Sequence, residues 1–281
     1  MGVGRHIQMQ SEKVWFITGA SRGFGYLWAE AALKRGDKVA ATARNTKALE
    51  DLVTGYGGHV LPLQLDVTDE KNVTAAIEQA HQHFGRLDIV LSNAGYGVMG
   101  AVEEASLDEA RAAFETNVLG SQSVVKAAVP LLRTQQSGHI LAVSSMAGLR
   151  PFPLGGVYVA TKFALEGMME TLAQEVAGFG IKVTLIEPGP FATEFMSASS
   201  MKQTKTIPVY DPMRQALMAH FTPDAFEDPR KTIDALFRVV DAPEPPLHVM
   251  FGFHLENLKQ VYAARMQDWE QWAWEKIAGT V

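Results

Sequence analysis

Lys13-Val14-Trp15-Phe16-Ile17-Thr18-Gly19-Ala20-Ser21-Arg22-Gly23-Phe24-Gly25 is the stretch that decides how this chain of 281 residues folds. Lys13 to Thr18 is a short apolar run and reads as a buried strand. Glycines follow at 19, 23 and 25, and a helical pattern runs from Tyr26 to Arg35. Strand, glycine turn and helix in that order open a βαβ unit, and with it a parallel sheet. Glycines there let the backbone turn tightly and let a ligand approach. The free N–H groups at the helix start attract an anion such as a pyrophosphate. A purely structural turn has the same composition, so the placement of the loop carries more weight than its glycines.

The composition, 47% hydrophobic and 20% charged, is that of an ordinary globular α/β chain. A net charge of −6 argues against nucleic acid as a partner. There is no cysteine, so there is no disulfide, thiol nucleophile or cysteine metal site, which fits a cytoplasmic location. No apolar run approaches the ~20 residues of a membrane span. The histidines are scattered, and no metal site is expected. No repeat or linker divides the chain, so we expect one domain over 13–281, preceded by a flexible tail over 1–12.

Further strands are expected at Lys38–Ala43, His59–Leu65, Leu87–Leu91, His139–Val143, Ile181–Ile186 and Leu247–Phe251. Helical patterns alternate with them. Leu107 to Arg133 reads as one long helix, with Asn117 in its middle and Pro130 bending or ending it. The segment 191–228 has no clear period and carries several methionines, phenylalanines and prolines. It is either a substrate lid or plain packing of a short helix pair. A C-terminal helix is expected over 253–278. Its stripe of Leu255, Leu258, Tyr262, Met266 and Trp269 would pack on the body or on a second subunit.

Tyr158 and Lys162 stand four apart at the start of a helix, on one face. An ammonium beside a phenol favours the phenolate, so the Tyr158 pKa is expected to fall into a range useful for acid–base catalysis. Ser145, at the end of a buried strand and facing that helix, is placed to hold a substrate oxygen. At the end of the second strand, where an NAD enzyme carries an acid, stand Ala43 and Arg44, with Arg22 in the glycine loop. Two arginines and no carboxylate suit a 2′-phosphate.

Taken together, these motifs resemble the short-chain dehydrogenase/reductase family in its single-domain Tyr-x-x-x-Lys branch. The likeness is close from Lys13 to Phe195 and looser beyond. It rests on Thr18-Gly19-x-x-x-Gly23-x-Gly25, Asp66-Val67, Asn93-Ala94-Gly95, Asn117, Ser145, Tyr158-x-x-x-Lys162 and Pro188-Gly189 followed by Thr193. The resemblance implies a Rossmann-type doubly wound, mostly parallel seven-stranded sheet. It implies that Tyr158 is the general acid/base, that Ser145 positions the substrate oxygen, that Lys162 lowers the tyrosine pKa and holds the nicotinamide ribose, and that Asn117 anchors a relay water. The cofactor would lie along Gly19, Ser21, Arg22, Gly23, Phe24, Gly25, Arg44, Asp66, Val67, Asn93, Ala94, Gly95, Tyr158, Lys162, Pro188, Gly189 and Thr193. Two departures, Ser92 for a common Asn and Phe24 for a common Ile, do not touch the chemistry.

The expected reaction is hydride transfer between NADP(H), rather than NAD(H), and a carbonyl or secondary alcohol. Ser145, Met146, Phe152, Tyr158, Phe191 and Phe195 are expected to meet the substrate. Most are apolar, so a small hydrophobic ketone or aldehyde is favoured. A homodimer or homotetramer is expected, the long C-terminal helix counting against the tetramer. Two rivals stand beside this reading: a non-catalytic NADP(H) sensor, and an epimerase or dehydratase on the same scaffold. Sensors tend to lose the Tyr, Lys or Ser, and all three are present.

Overall fold

The computed structural model describes residues 12–252 and 255–278. The expected tail over 1–12 lies outside them except for Glu12, which pairs with Lys38 at 2.7 Å. Residues 253–254 of the expected C-terminal helix also lie outside.

In chain order the strands are β1 (Val14–Ile17), β2 (Lys38–Ala43), β3 (Val60–Gln64), β4 (Ile89–Ser92), β5 (Gly97–Met99), β6 (Gly138–Val143), β7 (Ile181–Pro188), β8 (Met201–Gln203) and β9 (His248–Phe251). The helices are α1 (Gly23–Lys34), α2 (Glu50–Tyr56), α3 (Glu70–Phe84), α4 (Leu107–Phe114), α5 (Gly120–Gln135), α6 (Gly156–Val176), α7 (Asp211–Met218), α8 (Thr232–Asp241), α9 (Leu255–Gln271) and α10 (Trp274–Ile277). Seven strands make one sheet in the order β3-β2-β1-β4-β6-β7-β9, every neighbouring pair parallel. The Rossmann-type α/β architecture expected from the sequence is present.

β1 shows why its sequence is apolar throughout. Successive strand side chains point to opposite faces, and a parallel strand is covered on both. Val14 and Phe16 pack among residues of α3, α5 and α6, such as Ile77, Leu132 and Leu165. Trp15 and Ile17 pack on the other face among residues of α1 and α8, such as Trp28, Leu33 and Leu236. Each large side chain buried this way contributes on the order of 1.5–3 kcal/mol, so a Phe16→Ala cavity would cost about 3–5 kcal/mol. α3 is started by Asp69, whose carboxylate accepts from the N–H groups of Lys71 and Asn72 at 3.1 Å. α4 is started by a reciprocal Ser106–Glu109 capping box.

The chain adds β2 and β3 on one side of β1, then crosses to set β4 on the other side. At such a reversal the two crossovers leave in opposite directions, and a crevice opens beyond the C-terminal ends of β1 and β4.

The structure differs from the sequence expectation in two places and narrows it in a third. The stretch expected as one long helix, from 107 to 133, is α4 and α5 joined by a π turn, Glu115–Leu119. Pro130 lies inside α5, which runs on to Gln135. The segment 191–228 contains both a strand and a helix: β8 pairs in parallel with β5, and α7 follows. The stripe on α9 does not pack into the body. α9 has no buried residue, and Tyr262, Met266 and Trp269 are exposed. No helix among the described residues is long and apolar enough to cross a membrane.

Candidate active site

The crevice is built by backbone needs that only certain residues meet. Gly19 and Gly23 have φ of +68° and +56°, the left-handed region that favours glycine. A Cβ on Gly25 would lie 2.3 Å from the Gly19 carbonyl oxygen, so α1 approaches the loop only through a glycine. The ends of β1 and β4 are tied across the crevice. Thr18 Oγ1 accepts from the N–H groups of Asn93 and Ala94 at 2.9 and 3.0 Å, and Asn93 Nδ2 donates to the carbonyls of Thr18 and Gly19 at 2.9 and 3.2 Å. Thr18, unassigned in the sequence reading beyond its place in the motif, is thus a structural clasp for the glycine loop.

Around this crevice lie the other residues expected at the cofactor. Ser21 sits half-buried in the loop, and Arg44 stands exposed just after β2. Arg22 reaches across to the 191–228 segment, donating to Ser199 Oγ at 2.7 Å. Asp66, after β3, accepts from the N–H and hydroxyl of Thr68 at 3.0 and 2.8 Å, and Val67 beside it is buried. Pro188 ends β7, and the Gly189 N–H donates to the Phe251 carbonyl at 2.8 Å. Thr193 Oγ1 accepts from the Phe195 N–H at 3.3 Å. Phe24 stacks on Trp28 at 4.6 Å between ring centres.

At the mouth of the crevice, α6 presents Tyr158 and Lys162, each 6% exposed. The Lys162 ammonium donates to the Val143 carbonyl at 2.9 Å and stands 5.8 Å from the Tyr158 ring centre. Asn117, in the π turn, is buried. Its Oδ1 accepts from the Tyr96 N–H at 3.0 Å, and its Nδ2 donates to the Tyr96 carbonyl at 2.8 Å and to Thr161 Oγ1 at 3.1 Å. A Cβ on Gly95 would come within 3.1 Å of Asn117 Oδ1 and 3.8 Å of Lys162 Nζ, so Gly95 lets these groups gather. The π turn explains the placement: its extra residue redirects the Asn side chain inward.

The expected fall in the Tyr158 pKa is not found. Burial pushes the phenol up to about 12, and only the hydrogen bond with Ser145 opposes it. Burial also pushes Lys162 down to about 8, while the Glu166 charge pulls it up. The error lay in weighing the Tyr–Lys attraction without the cost of taking both charges out of water.

Phe152, Phe163 and Phe195 pack against Ala147, Tyr158 and Val159, with Phe195 at 5.7 Å from Tyr158 between ring centres. Phe163, one residue beyond Lys162, was missed in the sequence reading. Met146 lies half-buried on the turn after Ser145. Phe191 is a correction: it is 6% exposed, packs on Phe24 at 5.3 Å and belongs to the core beside Gly252.

The segment 191–228 folds back over this edge. Thr204 N–H donates to the Met99 carbonyl at 3.0 Å. Glu104 Oε1 accepts from the Ile207 N–H at 2.6 Å and from Arg214 at 2.7 Å. Glu194 Oε2 accepts from the Gly23 N–H at 3.0 Å. A carboxylate from the segment therefore sits on the first N–H of α1, where an anion is favoured. Its presence shows that the loop accepts an oxyanion, so the glycine cradle fits a dinucleotide pyrophosphate.

Residues 13–204 match the family model of the short chain dehydrogenases. The chain belongs to that family. As a short-chain dehydrogenase it is an oxidoreductase of the nicotinamide-dependent kind. Oxidoreductase BOA17 of Botryotinia fuckeliana is 42% identical over 248 residues, covering 85% of this chain and 89% of that protein. A short-chain dehydrogenase from Streptomyces avermitilis is 35% identical with a TM-score of 0.86, covering 97% of this chain and 99% of the other. Several similar solved structures carry NAD(H) or NADP(H). An alcohol dehydrogenase from the archaeon Thermococcus sibiricus, complexed with 5-hydroxy-NADP, is 27% identical with a TM-score of 0.71 and covers 85% of this dehydrogenase and 96% of the other. A 3-ketoacyl-(acyl-carrier-protein) reductase from Brucella melitensis, complexed with NADH, is 26% identical with a TM-score of 0.73 and covers the same shares.

Proposed function

We propose that this dehydrogenase interconverts a hydrophobic ketone or aldehyde and its alcohol, with NADP(H) as cofactor. The observation that carries the reading is the meeting of Tyr158, Ser145 and Lys162 beneath an apolar wall of Phe152, Phe163 and Phe195. A bound nicotinamide supplies or accepts the hydride. Tyr158 gives its proton to the carbonyl oxygen in reduction and takes it back in oxidation. Ser145 donates to the same oxygen and fixes its position relative to Tyr158. Lys162, buried and held by Val143, offsets the negative charge that forms on the phenol as its proton leaves. Asn117, locked by Tyr96 and Thr161, keeps the π turn closed beside Lys162, where a relay water would be held.

Arg22 and Arg44, with no carboxylate at the end of β2, support NADP(H) over NAD(H). The aromatic wall supports an apolar substrate over a sugar or an acid. The segment 191–228, anchored on Gly23, β5 and Glu104, supports a lid that closes on that wall. The uncovered apolar stripe on α9 supports a homodimer or homotetramer, read directly by light scattering. The reading is tested by following NADPH oxidation with a panel of apolar ketones and aldehydes, with NADH in parallel. Turnover with NADPH alone is expected; preference for NADH would overturn the cofactor assignment, and preference for charged or sugar carbonyls the substrate class.

A further inference from the structure

A second cluster of polar side chains lies away from the crevice, where α6 crosses the outer strands of the sheet. Glu166 and Glu170 are one turn apart on α6, beyond Lys162. β9 pairs in parallel with β7, with His248 opposite Leu185, so its side chain comes beside Glu187 two residues further on. His248 Nδ1 lies 2.7 Å from Glu187 Oε1 and 3.7 Å from Glu166 Oε2, and His248 Nε2 lies 3.9 Å from Glu170 Oε1. One ligand atom each from Glu166, Glu170 and His248 lie within 4.8 Å of one another.

We propose that Glu166, Glu170 and His248 bind one divalent transition-metal ion, with Glu187 holding the imidazole from behind. Acidic side chains gather on surfaces for many reasons, and proximity alone would not carry this. What does is Glu166 itself. Its side chain is 6% exposed, and the Ser144 hydroxyl is the hydrogen-bonding group beside it, one donor for two carboxylate oxygens. That buried hydroxyl has a single proton to give, so among the described residues the second oxygen has no hydrogen-bond donor. Proteins rarely leave a buried carboxylate oxygen without a partner, because nothing then replaces the water it lost. A cation at this point supplies that partner.

The geometry also orients the ligands. Glu187 accepts the Nδ1 proton of His248, which leaves Nε2 as a bare lone pair on the side of Glu170. Metal-binding imidazoles are held by a carboxylate in this way. Two carboxylates and one imidazole suit Mn²⁺ or Zn²⁺ better than the all-oxygen shells of Ca²⁺ or Mg²⁺. Bond lengths of about 2.0–2.2 Å require only that the side chains close in by side-chain rotation. Glu170 and His248 are partly exposed, giving the ion a path in and leaving positions for water.

The test uses the full chain stripped with chelator and titrated calorimetrically with Mn²⁺ or Zn²⁺ alone, with circular dichroism confirming the fold. One equivalent is expected to bind the wild type. Glu166→Gln, Glu170→Gln and His248→Asn should each weaken binding more than tenfold, and Glu187→Gln should weaken it by about 10–100-fold. Tyr158→Phe should bind as the wild type does. Glu170 is exposed, so its variant stands even if Glu166→Gln fails to fold. No stoichiometric binding, or equal binding by wild type, Glu170→Gln and His248→Asn, would overturn the site and leave a cluster that shares protons instead.

Discussion

Glu194 Oε2 accepts a hydrogen bond from the Gly23 N–H at 3.0 Å, so a carboxylate of the 191–228 segment rests on the start of α1. That N–H and its neighbours are the donors a pyrophosphate would use. A second anion at the same place meets repulsion, so Glu194 competes with the cofactor. We expect Glu194→Gln to tighten NADPH binding severalfold, read from nucleotide fluorescence. Unchanged or weaker binding would mean that Glu194 and the cofactor do not meet.

Lys162 leaves a signature in alkaline stability. Its folded pKa is about 8 against an ordinary 10.5. Between these values the unfolded chain holds a proton that the folded chain has lost, so stability rises with pH across this window. Below pH 8 both states are charged and the folded state carries the full cost of the buried ammonium. Relative to Lys162→Met, the wild type should gain about 3 kcal/mol between pH 8 and 10.5 in urea unfolding. A flat difference would mean that Lys162 is hydrated.

His139 acts at the acid end. The Thr184 hydroxyl donates to the Pro246 carbonyl at 2.6 Å, so it accepts from His139 Nε2 at 2.9 Å, and the ring is the neutral Nε2–H tautomer. Burial first, then the charges of Lys13 and Lys182, push His139 down to about 4 from 6.5. In that window the unfolded chain binds a proton the folded chain refuses, so stability falls as pH falls. His139→Leu should abolish about 3 kcal/mol of acid destabilisation between pH 6.5 and 4. Wild type and variant losing stability in parallel would contradict this.

Arg44 is the cleaner handle on cofactor choice, because Arg22 also ties down Ser199. Arg44→Asp places an acid where a ribose 2′-hydroxyl would bond and a 2′-phosphate would be repelled. The ratio of kcat/KM for NADPH over NADH should drop more than about tenfold. An unchanged ratio would place the 2′ position elsewhere.

How far the chain can be read without its structure follows from the range of the forces involved. All seven strands of the main sheet announce themselves as short, mainly apolar runs, and a central parallel strand buried on both faces, such as the one holding Trp15 and Phe16, is apolar over its whole length. Tyr158, Lys162 and Ser145 stand out in the sequence because local spacing and a strand end mark them, and Asn117 only because the family resemblance does. β5 and β8 escaped because each is three residues long and they pair across a hundred positions. Phe191 was misplaced because its partners, Phe24 and Gly252, are remote in the chain. Glu166 was legible in principle, one turn after Lys162, but its burial against β7 and β9 was not. The Tyr158 pKa was misjudged for the same reason: attraction between neighbours is visible in a sequence, desolvation is not.

The most direct measurement is turnover by Tyr158→Phe with saturating NADPH and the best apolar carbonyl substrate, alongside NADPH affinity. The variant keeps the ring that packs on Phe195 and loses only the proton donor. We expect kcat to fall by about 100-fold or more, with NADPH affinity within a few-fold of the wild type. Wild-type turnover by Tyr158→Phe would contradict the assignment of Tyr158 as the acid and base of this dehydrogenase.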